Sequence, residues 1–241
     1  MANSYLNKTL GSPTNNYKWT YSVWVKRSKL GTEQNITEVY SNSTNKGRIM
    51  FRSDNRLEVL DLQSDSYVMQ KKLNRKFRDT SGWYHIVIAN DSTVGSPDIK
   101  IYVNGVEETL FDTDNEYTQN QASLFNSAIA NYIGSAQSGV NFDGYMSHFA
   151  FVDGTALTPT SFGETDSTSG IWKFKSPSGI TWGNNGFHLK FENSGALGTD
   201  SSGNTNTFTV NGNLKQSLST PSNVYQSLNP NSTDSGVTLT N

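Results

Sequence analysis

The residues best placed to do chemistry are Phe111-Asp112-Thr113-Asp114-Asn115-Glu116. In a strand, Asp112, Asp114 and Glu116 would share one face, because side chains repeat every two residues. Two carboxyl groups held about 5 Å apart can serve as nucleophile and general acid in glycoside hydrolysis. Here the first position is Asp, with a shorter reach than Glu, and its neighbours are Thr and Asn rather than the rings of a cleft. Two other readings stay open: a solvated loop, and a calcium site at Asp112, Asp114 and Glu116. Hard cations need only several oxygen ligands from flexible chain, and Asp61 and Asp65 are further possible donors. No EF-hand loop is present.

The three histidines, His85, His148 and His188, are far apart and lack metal-pair spacing. Packing or a surface hydrogen bond is the expected role of each. No Gly-x-Ser-x-Gly elbow and no phosphate-cradling Gly-x-x-x-x-Gly-Lys-Ser/Thr loop occurs. Cysteine is absent, which excludes thiol catalysis, disulfides and cysteine zinc sites. The expectation is a protein that binds rather than catalyses, with no cofactor other than calcium.

Binding of sugars uses aromatic rings against pyranose C–H faces and planar polar groups for hydroxyls. The candidates are Trp24, Tyr117, Trp172, Trp182, Asn184 and Asn185. Trp24 lies on the otherwise polar side of its strand, Trp172 and Trp182 lie in a loose region, and Tyr117 flanks a polar loop with Asn120, Gln121 and Tyr132. Packing under loops is the alternative role for each ring.

Charge narrows the partners. Nineteen Lys and Arg against 21 Asp and Glu leave a net charge of −2, so there is no basic excess for nucleic acid. The basic stretch from Lys71 to Arg78 reads as a solvated strand end. The start of the chain lacks a basic, apolar leader, and no run reaches membrane-spanning length. Synthesis in the cytoplasm, no membrane insertion and release by a route such as lysis are therefore expected.

The elements that must position these residues are strands. Hydrophobic residues make up 34% and aromatic residues 12%, and large rings can fill a sandwich core with few apolar positions. Trp19, Tyr21, Val23 and Val25 alternate onto one face. Strands are predicted over 47–53, 56–62, 66–73, 83–89, 99–103, 106–111, 131–135 and 142–152. Asn104-Gly105 marks a tight hairpin. A short helix is predicted after Leu157, capped by Thr158 with Pro159 at its first position and Gly163 at its end. Residues 166–170 read as a linker.

Three segments carry a family resemblance. Residues 19–27, the pair Gly82-Trp83-Tyr84-His85-Ile86-Val87 and Ile99-Lys100-Ile101-Tyr102-Val103-Asn104-Gly105, and the run from Phe142 to Thr158 resemble the conserved strands of laminin-G-like, concanavalin A-like jelly rolls. The resemblance implies an all-β fold: an antiparallel β-sandwich jelly roll over residues 1–165. A β-rich C-terminal appendage over 166–214 would complete or pack on the sandwich, and 215–241 would form an extended arm. Eukaryotic laminin-G modules often carry a disulfide, so its absence points to a bacterial or viral origin. Segments 186–204 and 221–230 resemble parts of structural proteins of marine bacteriophages. That implies a non-enzymatic virion-surface protein, a tail-fibre component binding cell-surface glycan, with other virion proteins as partners and a homo-oligomer, a trimer in the fibre case. A capsid decoration or connector protein and a glucanase-like glycosidase are the alternatives.

Overall fold

A computed structural model describes residues 4–221. In chain order its first strands are β1 (Tyr5–Thr9), β2 (Lys18–Arg27), β3 (Gln34–Asn42), β4 (Asn45–Phe51), β5 (Arg56–Gln63) and β6 (Ser66–Lys76). Next come β7 (Tyr84–Asp91), β8 (Lys100–Val103), β9 (Val106–Glu107), β10 (Phe111–Asn115) and β11 (Ala130–Ile133). The last are β12 (Gly144–Asp153), β13 (Gly163–Thr165), β14 (Trp172–Phe174), β15 (Phe187–Leu189) and β16 (Thr209–Asn211). Eight strands form one sheet in the order β10-β6-β5-β4-β3-β11-β1-β16, and six form the second in the order β15-β12-β2-β7-β8-β9. Every pairing is antiparallel.

The sheets face each other across one core. Trp19, Tyr21, Val23 and Val25 of β2 enter it from the smaller sheet, with Ile86, Phe149 and Phe151. Val39, Ile49, Phe51 and Val59 meet them from the larger sheet. Rings dominate: Tyr21 lies 4.5 Å from Phe151 and Trp19 5.0 Å from Phe125, centroid to centroid. This is how a chain one-third hydrophobic fills a sandwich.

The late strands are not a detached unit. β15 adds to β12 at the edge of the small sheet and β16 adds to β1 at the edge of the large one. Residues 157–182 cross the outer face of the small sheet, where Leu157, Phe162, Ile180 and Trp182 pack with Val87, Ala150 and Val152. The expected helix after Leu157 is a single 3-10 turn, Pro159–Ser161, and Thr158 makes no capping hydrogen bond because its hydroxyl meets that of Thr160. The expected linker is the turn of the β13–β14 hairpin, where the Asp166 carboxylate accepts from the backbone N–H groups of Thr168 and Ser169. Of the expected C-terminal arm, 222–241 lie outside the described residues.

Candidate functional site

Four adjacent strands, β3, β11, β1 and β16, build a polar-aromatic patch on the outer face of the large sheet. Leu6 and Ile133 turn into the core, so Tyr5, Asn7 and Tyr132 turn outward. Tyr132 stands opposite Asn7 on one side and Glu38 on the other, and Tyr5 stands opposite Asn211. The Tyr5 and Tyr132 rings are 6.0 Å apart at 49°. Tyr40, two residues past Glu38, extends the row, and all three tyrosines are half-buried.

Polar groups surround these rings. The buried Glu38 carboxylate accepts from Arg48 Nε at 2.6 Å and from the Gln137 backbone N–H. The Asn211 amide donates to Asn7 Oδ1 at 2.7 Å. Burial raises the Tyr132 hydroxyl pKa, and Tyr5, Glu38 and Tyr40 add to the effect. The hydroxyl is therefore a neutral donor at physiological pH. Rings, amides and the Arg48 guanidinium, held by the buried Glu38 carboxylate, thus share one surface, a combination suited to sugar recognition.

Behind the same edge, on the inner side of β1 and β11, lies a cavity of about 330 Å³. Leu6, Ile133, Phe142, Met146, Leu197 and Leu214 supply its apolar walls, and Ser147, His148, Lys190, Glu192 and Gln216 are among the polar residues that share its lining. The tyrosine face differs in presenting two neighbouring rings at the outer surface.

The family model described as the concanavalin A-like lectin/glucanases superfamily matches residues 2–161. The chain belongs to that superfamily. Among solved structures, this lectin-type sandwich is similar to a heptameric SAP-like pentraxin from Limulus polyphemus, at 17% identity and a TM-score of 0.46 over 64% of this chain and 71% of the pentraxin. It is also similar to domains LG4-5 of the mouse laminin α1 chain, at 11% identity and a TM-score of 0.46 over 73% and 43%. Tailspike protein 2 of Escherichia coli O157:H7 bacteriophage CAB120 aligns at 13% identity and a TM-score of 0.43, over 65% of this chain and only 22% of the tailspike. No curated protein matches the chain.

The sandwich disperses the acidic run expected to gather. A β-bulge between Phe111 and Thr113 breaks the two-residue period. Asp112 is turned to Arg56 Nη1 at 2.8 Å and Lys72 Nζ at 2.9 Å. Asp114 and Glu116 instead converge on Lys71 Nζ, which is 3.1 Å from Asp114 and also bonds Glu116, Asp98 and the Ile99 carbonyl. Burial opposes the Lys71 charge, but the Glu116 and Asp98 carboxylates outweigh it and raise its pKa. The basic stretch is a solvated strand end at Arg75, Lys76 and Arg78, but its first lysine, Lys71, is buried and neutralises the acids. Asp61 is also withdrawn, since its buried carboxylate accepts from the Tyr117 hydroxyl at 2.6 Å and the Leu124 backbone N–H at 3.0 Å. Among the described residues no three His, Cys, Asp or Glu side chains form a metal-holding group.

The six expected ligand residues do not share one surface. Tyr117 is sealed in the core by that Asp61 bond. Asn185 is buried and ties Asp153 Oδ2 and the Gly11 carbonyl together, while exposed Asn184 donates to Thr14 Oγ1 through its backbone. Trp24 does face outward from β2, but residues 157–182 cover that face, leaving the ring 3% exposed. Trp172 and Trp182 belong to the covering segment.

These indoles meet two of the three histidines, and Phe174 of the same covering segment meets the third. Trp24 stacks on His85 at 4.6 Å and 13°. Trp172 Nε1 donates to His85 Nδ1 at 2.9 Å, and His85 Nε2 meets Ser22 Oγ at 2.9 Å. Indole N–H only donates, so Nδ1 is bare and Nε2 carries the proton. An extra residue in β12 between Ser147 and Ala150 puts His148 outward at φ 47°, stacked 3.5 Å from Phe174. His148 lies 5.6 Å from His188, which Trp182 covers at 5.8 Å. Burial lowers the pKa of His85 to about 3, aided by His148. Burial likewise lowers His148 and His188 to about 4; His188 and Lys190 assist at the first, Lys190 at the second. The sequence separated these residues; the sheet joins them.

Proposed function

We propose that this chain is a non-catalytic glycan-binding module whose outer tyrosine face reads sugars. The observation that carries the reading is the Tyr5–Tyr132 pair flanked by Asn7, Asn211 and the Glu38–Arg48 ion pair. A ring stacks on a pyranose face, while amides and charged groups sort its hydroxyls. The chain's membership of a superfamily of lectins and glucanases is consistent with this. The non-catalytic part rests on the bulge at Asp112 and on Lys71, which deny the acidic run a free carboxyl pair. No cofactor is required.

The reading extends to a virion-surface protein of a bacteriophage, in a tail fibre or as a capsid decoration, supported by the resemblance of segments 186–204 and 221–230 to such proteins. A shallow face binds each sugar weakly, so a symmetric oligomer, a trimer in a fibre, would supply avidity.

A glycan array tests the binding reading. Tyr132→Ala and Tyr5→Ala should each cut the signal at least tenfold with the circular dichroism spectrum unchanged, while Tyr145→Ala, on the other sheet, should not. Full binding by both face variants would remove the proposal.

A further inference from the structure

The outer face of the small sheet is covered. Residues 157–182 lie over it, and besides their apolar packing three of their rings meet imidazoles: Trp172 bonds His85, Phe174 stacks on His148 and Trp182 covers His188. Two glycines let Trp172 sit flush. A Cβ on Gly163 would come within 2.5 Å of the indole, and one on Gly105 within 2.6 Å. Beneath the segment His148 Nδ1, His188 Nε2 and Trp24 Nε1 are buried without hydrogen-bond partners among the described residues. That layer tolerates neutral rings only.

We infer that segment 157–182 is an acid-released strap, held on the sheet by the neutral forms of His85, His148 and His188 and let go when they take up protons. Protonating His85 Nδ1 turns an acceptor into a donor facing the Trp172 N–H, so the one hydrogen bond between strap and imidazole becomes a clash of donors. Charging His148 and His188 puts two cations in adjacent rings under an aromatic cover, where His148 Nδ1 and His188 Nε2 have no acceptor among the described residues. The ordinary imidazole pKa lies near 6.5, and all three rings are held well below it while the strap is closed. Opening returns them to water, so acid favours the open form.

The charges around the layer do not cancel this. β2 presents Ser22, Trp24 and Lys26, β12 adds Tyr145, and β15 adds Lys190. On the strap, Glu164 and Asp166 are both engaged by Lys173, and Lys175 donates to the Thr160 carbonyl. Asp200 alone pulls the His188 pKa upward, and its carboxylate already accepts from the backbone N–H groups of His188, Ser202 and Asn206. Among the described residues no carboxylate bonds any of the three rings. Release would uncover Trp24 together with Val87, Ala150 and Val152.

Hydrogen–deuterium exchange on the full chain, at about pH 7 and about pH 4.5 and corrected for intrinsic rates, tests the strap. Amides of residues 163–175 should lose at least tenfold more protection than those of β4 and β5. His85→Gln keeps an acceptor for Trp172 without a charge, and His148→Phe keeps the stack on Phe174; each should lower the pH at which the strap opens. Equal strap protection at both pH values, loss of strap and sheets together, or an opening pH that neither variant moves would overturn the inference.

Discussion

Trp172 reaches 87 residues back along the chain to donate its indole N–H to His85 Nδ1 at 2.9 Å. One bond thereby fixes the histidine tautomer and fastens the β13–β14 hairpin to the sheet.

Trp172→Phe keeps most of the ring and removes the donor. A buried acceptor left unpaired costs about 1–3 kcal/mol, so urea unfolding should show a loss in that range. A midpoint equal to that of the wild type would mean the bond contributes nothing.

Stability should also depend on pH with a defined sign. The unfolded imidazoles titrate near 6.5, whereas the folded ones are lowered to about 3 for His85 and about 4 for His148 and His188. Between those limits the unfolded chain binds protons that the folded chain refuses. Stability is thus complete above about pH 6.5 and falls as the pH drops, by up to about 1.4 kcal/mol per pH unit for each ring. Urea titrations from pH 7.5 to 5 should approach a three-proton slope, easing once the strap lifts. A flat profile would contradict the burial of these rings.

Lys71→Met should leave Asp98, Asp114 and Glu116 facing one another around the Ile99 carbonyl without their cation. Two of those acids are about half exposed, so the cost should be about 1–3 kcal/mol, below that of a fully buried pair. Millimolar calcium should then raise the variant's melting temperature and not the wild type's, because the ammonium already fills that seat. An equal calcium response in both would show that Lys71 does not occupy it.

Gly163→Ala places a methyl group against the Trp172 indole. Overpacking of this kind costs about 1–3 kcal/mol, and the displaced indole should change its fluorescence. Unchanged stability and emission would show that the ring has room to move.

Much of the fold could be read from the chain. Alternation placed Trp19, Tyr21, Val23 and Val25 in the core, and Asn104-Gly105 marked a hairpin whose turn residues indeed have φ of 50° and 80°. Less of the site could be read, for identifiable reasons. The acidic run looked coherent because a bulge leaves no sequence mark, yet one extra residue sends Asp112 to a different partner from Asp114. The histidine layer was hidden because its members come from β7, β12 and β15, which meet only through long-range pairing. Trp24 lies on an outer face as its alternation implies, but nothing in the sequence of residues 157–182, of which 166–170 read as a linker, marks them as its cover. Tyr5 and Tyr132 carried the same signal as Trp24, an aromatic alternating with core residues, in strands too short to stand out.

The most direct measurement is chemical-shift mapping of the labelled protein titrated with a glycan selected on the array. Binding at the outer tyrosine face predicts saturable shifts centred on Tyr5, Asn7, Glu38, Tyr40 and Tyr132, abolished in Tyr132→Ala. Shifts centred on the 330 Å³ cavity, or none at any glycan concentration, would contradict it.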